Sequence, residues 1–136
     1  MPLRQAIDSA NRVEFALYKA VPQADTAQLN RYFTRSGTAR TMILGGLDRA
    51  VRNGRQLRIP PSAYMLVDIN VRSQSETEAR VETDEQWYLL WYDRLTNQDV
   101  SLYDTLNHHQ YWLKKEGGQW RIHMDEYRGR PKKVVR

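Results

Sequence analysis

The hydrophobic pattern of this chain of 136 residues changes its period once, at the proline pair Pro60-Pro61. Before the prolines, apolar residues recur every three or four positions, which is the spacing of amphipathic helices. After them, apolar and polar residues alternate over long stretches, as they do in strands that bury one face. The sequence therefore predicts an α+β domain in which N-terminal helices pack on a curved antiparallel sheet, with one core rather than two.

Three helices are expected in the first half of the chain. The first covers residues 3–21 and ends before Pro22, because proline disfavours helical backbone in the residue that precedes it. Residues 25–28 have the form of a capping box, which opens a short second helix. The third is expected over 38–53, with Gly54 as its C-terminal cap.

Four strands are expected in the second half, and the turns between them predict which residues share a face. The strands cover residues 64–73, 79–94, 100–115 and 119–127. If Gly117-Gly118 is a two-residue turn, Leu113 lies opposite Ile122 and Tyr111 lies opposite Met124. If Asn97-Gln98 is also a two-residue turn, Tyr92 lies opposite Tyr103. The next pairs are then Leu90 with Thr105 and Tyr88 with Asn107.

These registers predict the residues on the inner, helix-covered face of the sheet. The candidates there for a small apolar ligand are Tyr88, Tyr92, Tyr103, Asn107, His109 and Tyr111. Leu113, Ile122 and Met124 are expected to share that face as core residues.

The run of residues 86–92 is apolar on both faces of its strand, whereas a sheet with one face in water should alternate. The outer-face residues form a candidate interface for a protein partner or a second copy of the chain. They are Trp87, Leu89, Trp91, Leu102, Leu106 and Trp112. The alternative is that a sheet edge or a loop of the same chain covers them.

The pattern of three helices, a proline break and long strands resembles the nuclear-transport-factor-2-like cone fold over residues 3–127. The closing hairpin, residues 111–125, carries the most specific part of the resemblance in its Tyr-x-Leu and Gly-x-Trp-x-Ile rhythm. Ala10-Asn-Arg12 and the segment Trp91 to Arg94 are similar to the inter-membrane-space type of domain that ends larger bacterial and plastid proteins. The resemblance implies a single domain over 1–127. The run of positive charge over 128–136 predicts a basic, disordered tail after it.

Our first functional hypothesis is a non-catalytic interaction or self-association module of a larger protein. The alternative is an enzyme, because cone-fold isomerases and dehydratases place a His or Asp base and Tyr donors inside the cone. His109 is the catalytic candidate here, but the interpretation we favour is a partly buried structural histidine satisfied by Asn107 or a backbone carbonyl. No carboxylate is predicted on the inner face, since Glu14 is expected at the edge of its helical stripe, and this counts against catalysis.

Charge and composition narrow the remaining function classes. Residues 1–60 carry +6, residues 61–127 carry −6 and the tail carries +5, a pattern that serves solubility. A basic row at Arg49, Arg52, Arg55 and Arg58 lacks interleaved aromatic residues, so neither nucleic acid nor an anionic membrane is expected as a partner. The chain has no cysteine, no metal-ligand spacing and no nucleotide-binding motif, so neither a metal nor a cofactor is expected.

Overall fold

The computed structural model, which describes residues 2–129, is an α+β domain in which three helices lie on a curled antiparallel sheet. The helical segments are α1 (Leu3–Ala20), a 3₁₀ turn (Thr26–Gln28), α2 (Leu29–Tyr32) and α3 (Thr38–Arg52). The strands are β1 (Arg55–Leu57), β2 (Ala63–Gln74), β3 (Glu78–Asp93), β4 (Gln98–Glu116) and β5 (Gln119–Tyr127). The predicted fold class is confirmed, while residues 130–136 of the predicted tail lie outside the described residues.

The helix ends follow the local signals in the sequence. Helix α1 ends two residues before Pro22, and the Asp25 carboxylate accepts a hydrogen bond from the backbone N–H of Ala27 at 3.2 Å. Gly54, just beyond α3, has a φ of +68°, a left-handed conformation that glycine adopts without steric cost. In the described residues, no helix is long and apolar enough to cross a membrane.

The sheet is a meander in which β3 and β4 are the long central strands. Strand β3 pairs with β4 on one side, and on its other side with both β2 and the short β1. Strand β1, which was not predicted, pairs with the last three residues of β3 and closes the sheet around the end of α1. The helices pack on the concave face, where Ile7, Phe33, Val81 and Leu113 are almost completely buried.

The turn between β4 and β5 has the predicted two glycines, but the predicted register holds only for the first part of the hairpin. Leu113 lies opposite Ile122 as expected, whereas Tyr111 lies opposite Asp125 rather than Met124. A β-bulge places His123 as one extra residue in β5, and every later residue of β5 then faces the opposite side of the sheet. Asp125 is therefore on the concave face, and the prediction for Met124 was wrong.

The predicted register between β3 and β4 was also wrong. The connection is a four-residue loop, 94–97, in which Asp93 caps the backbone N–H of Leu95 at 2.8 Å. A further bulge leaves Val100 unpaired. Tyr103 consequently lies opposite Leu89 instead of Tyr92, a shift of three residues. Because an odd shift reverses which side chains face inward, the inner and outer residues of β3 are exchanged relative to the prediction.

Candidate functional site

A cavity of about 400 Å³ lies between the C-terminal part of α1 and the concave face of the sheet. Helix α1 and the four strands β1, β3, β4 and β5 all contribute side chains to its lining. The lining residues are Glu14, Phe15, Tyr18, Leu57, Trp87, Leu89, Trp91, Tyr103, Asn107, His109, Asp125 and Tyr127.

One part of this cavity is apolar and aromatic. Trp87, Leu89 and Trp91 are alternate residues of β3, so they project from the same face of that strand. Tyr18 of α1 meets Trp91 edge-to-face, with 5.4 Å between the ring centroids. These side chains form a wall suited to a flat or apolar ligand.

The polar part of the cavity is built around His109. Its Nδ1 lies 2.7 Å from Oδ1 of Asp125, and its side chain is 12% exposed. Desolvation disfavours the imidazolium, but the hydrogen bond to Asp125 and that residue's charge outweigh it. The charges of Glu85 and Glu14 add to the effect of Asp125, and the pKa of His109 is raised to about 9. His109 is therefore a cation at neutral pH, held in one orientation by Asp125.

Beneath His109 lies Glu85, which is completely buried and accepts three hydrogen bonds. The donors are the Thr83 hydroxyl at 2.6 Å, the Trp87 indole N–H at 2.9 Å and the Tyr111 hydroxyl at 2.5 Å. Burial, followed by the charges of Asp125 and Glu85, raises the pKa of Tyr111 well above its usual value. These bonds fix the indole of Trp87 and the ring of Tyr111, so they give the cavity rigid walls.

The same network reaches helix α1 through Asn11. Its amide nitrogen donates to the hydroxyls of Tyr111 at 2.9 Å and Tyr64 at 3.0 Å. Asn11 is itself buried, so both of its donors are satisfied by the sheet rather than by water. This contact fixes α1 and its cavity-lining residues relative to the floor of the cavity.

One turn further along α1, Glu14 lines the cavity beside the histidine. Burial raises the pKa of Glu14 to about 8, with Asp125 and Glu85 adding to the effect and His109 opposing it. Its carboxyl group is therefore mostly protonated at neutral pH and can act as a hydrogen-bond donor. The expectation that Glu14 lies at the edge of its helix, away from the site, was wrong.

The arrangement can perform acid–base chemistry. Among the described residues, Nε2 of His109 has no hydrogen-bond partner, and the nearest carboxylate oxygen, Oε1 of Glu85, is 3.6 Å away. An imidazolium held by a carboxylate and carrying a free N–H can donate a hydrogen bond or a proton to a bound oxygen. In residues 2–129, no three His, Asp or Glu side chains are placed to hold a metal ion, this cluster included.

The structure brings together half of the predicted pocket residues. Tyr103, Asn107 and His109 line the cavity, and Tyr111 lies beneath it in the Glu85 network. Tyr88 and Tyr92 are on the opposite face of the sheet, contrary to the prediction. The ring of Tyr92 lies under the guanidinium of Arg58 at 4.5 Å and lines a separate surface cleft.

The predicted interface residues do not form one patch. Trp87, Leu89 and Trp91 line the cavity, so their assignment to the outer face was wrong. Leu102, Leu106 and Trp112 do lie on the outer face. The ring of Trp112 is covered by the side chains of Arg80 and Lys114, with 4.8 and 5.1 Å from their charged groups to the ring centroid.

Sequence reasoning missed three carboxylic acids of the site. Glu85 faces inward because the β3–β4 loop is longer than predicted, and Asp125 faces inward because of the bulge in β5. The sequence carries no clear signal for either feature. Glu14 could have been found, because it follows Ile7 and Ala10 and precedes Leu17 at helical spacing on the buried side of α1.

Solved structures of the same fold are found by comparison, among them the following two. The intermembrane space region of the chloroplast protein ARC6 is 14% identical over 95% of this chain and 98% of its own, with a TM-score of 0.66. A protein from Xanthomonas campestris, described as a candidate calcium/calmodulin-dependent protein kinase II association domain, is 13% identical. It covers 96% of this chain and 86% of its own, with a TM-score of 0.52.

These likenesses support the nuclear-transport-factor-2-like cone fold. At 14% and 13% identity, the two likenesses establish the fold alone. No family model matches the sequence, and no curated protein matches it either.

Proposed function

We propose that this chain binds a small molecule inside the cone, one with an apolar or aromatic body and an oxygen that accepts a hydrogen bond from His109. The observation that carries the proposal is a cavity of about 400 Å³ with tryptophan walls, beside which Nε2 of His109 makes no hydrogen bond to any residue of 2–129. A buried N–H that lacks a partner costs free energy, and a ligand oxygen would remove that cost.

The shape and chemistry of the cavity define the ligand class. Trp87 and Trp91 offer large, rigid faces for a ring or a branched hydrocarbon, and Leu89 lines the cavity between them. His109 and the protonated Glu14 both offer hydrogen-bond donors at the polar part. A ketone, an alcohol or an ether on an apolar body fits this distribution better than a sugar or a nucleotide does.

The same groups favour proton donation to the bound oxygen as the use of the cavity, which is the acid half of an isomerase or dehydratase reaction. His109 would donate a proton to the ligand oxygen, and Asp125 would hold the imidazole in place and stabilise its charge. His109 is then the general acid, and Asp125 is a positioning residue.

The binding proposal is tested with N-phenylnaphthylamine, an uncharged dye whose fluorescence rises in apolar sites. Leu89→Trp fills the cavity, whereas Leu90→Trp places the same side chain on the other face of the same strand. We expect the wild type and Leu90→Trp to bind the dye and Leu89→Trp to bind about tenfold more weakly or not at all. No binding to the wild type, or equal binding to all three proteins, would contradict the proposal.

The role of His109 is tested by comparing naphthol with naphthalene, which differ by one hydroxyl group. We expect naphthol to bind the wild type more tightly, and we expect that advantage to disappear in His109→Phe while naphthalene binding stays within about twofold. Equal affinities of the wild type for both compounds would remove His109 from the binding site.

A second candidate function is self-association through the outer face of the sheet, and exposed apolar side chains on that face support it. Met65 of β2 and Leu102 of β4 are 58% and 56% exposed there, and Leu102 pairs with Leu90 across the strands. The structural neighbour described as an association domain also favours this use of the fold. The contact residues would be Met65, Leu90, Leu102 and Leu106, in place of the tryptophans predicted from the sequence.

Light scattering coupled to size-exclusion chromatography tests the second candidate over a range of protein concentrations. We expect a dimer that Leu102→Asp dissociates, whereas Leu95→Asp, in the exposed β3–β4 loop, leaves it intact. A wild-type monomer at every concentration would exclude self-association.

A further inference from the structure

A second cleft, of about 310 Å³, lies beside the cavity at the C-terminal end of α3. Tyr18 and Trp91 line both spaces, so this aromatic pair is their common wall. The cleft is lined by Tyr18, Gly46, Arg49, Ala50, Asn53, Arg55, Trp91 and Ser101. Two of these residues are arginines and none is acidic, whereas the lining of the cavity includes the carboxylic acids Glu14 and Asp125.

Arg49 is the first of the two cations. Its side chain folds back along α3 over the Gly45-Gly46 pair, and its Nη1 lies 3.6 Å from the position that a Cβ of Gly45 would occupy. Within the described residues, Arg49 forms no ion pair, whereas Arg52 on the same helix lies 3.1 Å from Asp48. Arg49 therefore keeps its charge and its donors available to the cleft.

Arg55 of β1 supplies the second cation. Its Nη1 is 3.7 Å from Oδ2 of Asp93 and, in the part of the chain that the structure describes, has no hydrogen-bond partner. Because Asp93 offsets part of the charge of Arg55, the two guanidinium groups leave an excess of about one positive charge. That excess matches a carboxylate, which carries one negative charge, better than a phosphate monoester, which carries nearly two.

The wall between the two spaces is held in position by Gly46. A side chain at this residue would overlap the hydroxyl group of Tyr18, so only glycine lets the phenol pack directly on α3. Tyr18 in turn contacts Trp91 edge-to-face. The apolar cavity and the arginine cleft are therefore adjacent compartments on the two sides of one side-chain pair.

We propose that the ligand of the cone also carries a carboxylate. Its apolar body occupies the cavity, and a short chain passes the edge of the Tyr18–Trp91 pair and places the carboxylate at Arg49 and Arg55 in the adjacent cleft. The inference rests on the proposed binding function and adds the substrate class to it. Guanidinium groups bind carboxylates through paired N–H donors, and the neutral side chains of Asn53 and Ser101 line the same cleft.

Two probes that differ only in the acidic group test the inference, namely naphthalene-butyric acid and the corresponding alcohol, naphthalene-butanol. Titration calorimetry gives their affinities for the wild type, Arg49→Gln, Arg55→Gln and the control Arg52→Gln. We expect the acid to bind the wild type about tenfold more tightly than the alcohol does. We expect Arg49→Gln and Arg55→Gln each to remove most of that difference and Arg52→Gln to keep it.

The outcomes separate this inference from the function on which it rests. If the alcohol binds and the acid binds no better, the carboxylate site is wrong and the apolar cavity stands. If neither probe binds the wild type, both proposals fail. If Arg49 serves only to stabilise the end of α3, Arg49→Gln will lower the melting temperature and leave the ratio of the two affinities unchanged, which also overturns the inference.

Discussion

Nδ1 of His109 lies 2.7 Å from Oδ1 of Asp125, and the two side chains meet because β5 carries one extra residue at His123. Without that bulge, the alternation of the strand would turn Met124 toward the cavity and Asp125 toward solvent. One inserted residue thus changes an apolar inner face into an acid–base pair. The chemistry assigned to the cavity depends on this relationship.

The Asp125 carboxylate should determine how His109 titrates. In Asp125→Asn we expect the pKa of His109 to fall from about 9 toward its ordinary value, by about one to two units, because the variant loses the ionic hydrogen bond. NMR spectroscopy of the imidazole protons measures it. Asp84→Asn is the matched control, since Asp84 pairs with the neighbouring His108 on the other face, at 3.0 Å. A wild-type His109 that titrates near 6.5 would contradict the site geometry.

The stability of the protein should fall as the pH rises, because of Glu14. Its pKa in the folded state, about 8, lies above the ordinary value of 4.5, so only the folded state keeps the proton between these values. Unfolding in this pH range therefore releases a proton, so raising the pH favours the unfolded chain. Glu14→Gln should therefore be increasingly more stable than the wild type from pH 5 to pH 8, by on the order of 3 kcal/mol at the upper end.

Urea unfolding at several pH values measures this difference, and Glu76→Gln in the exposed β2–β3 turn is the control. The raised pKa of His109 acts in the same direction, because its contribution is complete below pH 6.5 and is lost as the pH rises through about 9. A constant difference between Glu14→Gln and the wild type at all pH values would show that Glu14 titrates normally.

Removing the buried carboxylate of Glu85 should strongly destabilise the fold. Glu85→Ala leaves the donors of Thr83, Trp87 and Tyr111 without a partner and opens a cavity, for which we expect a loss of about 3–5 kcal/mol. Glu82→Ala, on the outer face of the same strand, should cost less than about 1 kcal/mol. Denaturant unfolding measures both, and similar losses would mean that the network contributes little.

The two adjacent glycines of α3 should respond differently to alanine. At Gly45 a Cβ would make an ordinary contact with Arg49, so Gly45→Ala should stabilise the helix by up to about 1 kcal/mol. At Gly46 the Cβ would overlap the hydroxyl of Tyr18, and we expect Gly46→Ala to cost about 1–3 kcal/mol.

The double variant Gly46→Ala with Tyr18→Phe tests the cause, because it removes the hydroxyl that the new methyl group meets. Thermal unfolding should show that it recovers most of the loss, and Tyr18→Phe alone provides the reference. Equal destabilisation by both alanine variants would place the effect in the helix rather than in its contact with Tyr18.

Much of the candidate site was predictable from β4 alone. The Gly117-Gly118 turn indicated which residues of that strand face inward, and the cavity is lined by His109, Asn107 and Tyr103. The tryptophans of β3 were assigned to the wrong face of the sheet. Residues 86–92 are apolar on both faces of the strand, so their pattern does not indicate which face of β3 points inward.

The sequence by itself determined the helices, the long strands and the order of both, because these depend on hydrophobic period, prolines and caps that act over a few residues. Only the tertiary structure decided which face of β3 and β5 points inward. That choice depends on the length of the 94–97 loop and on the bulges at Val100 and His123. Packing across the whole sheet determines both. Since side chains alternate with a period of two, one residue more or less in a strand decides whether Asp125 meets His109 or water.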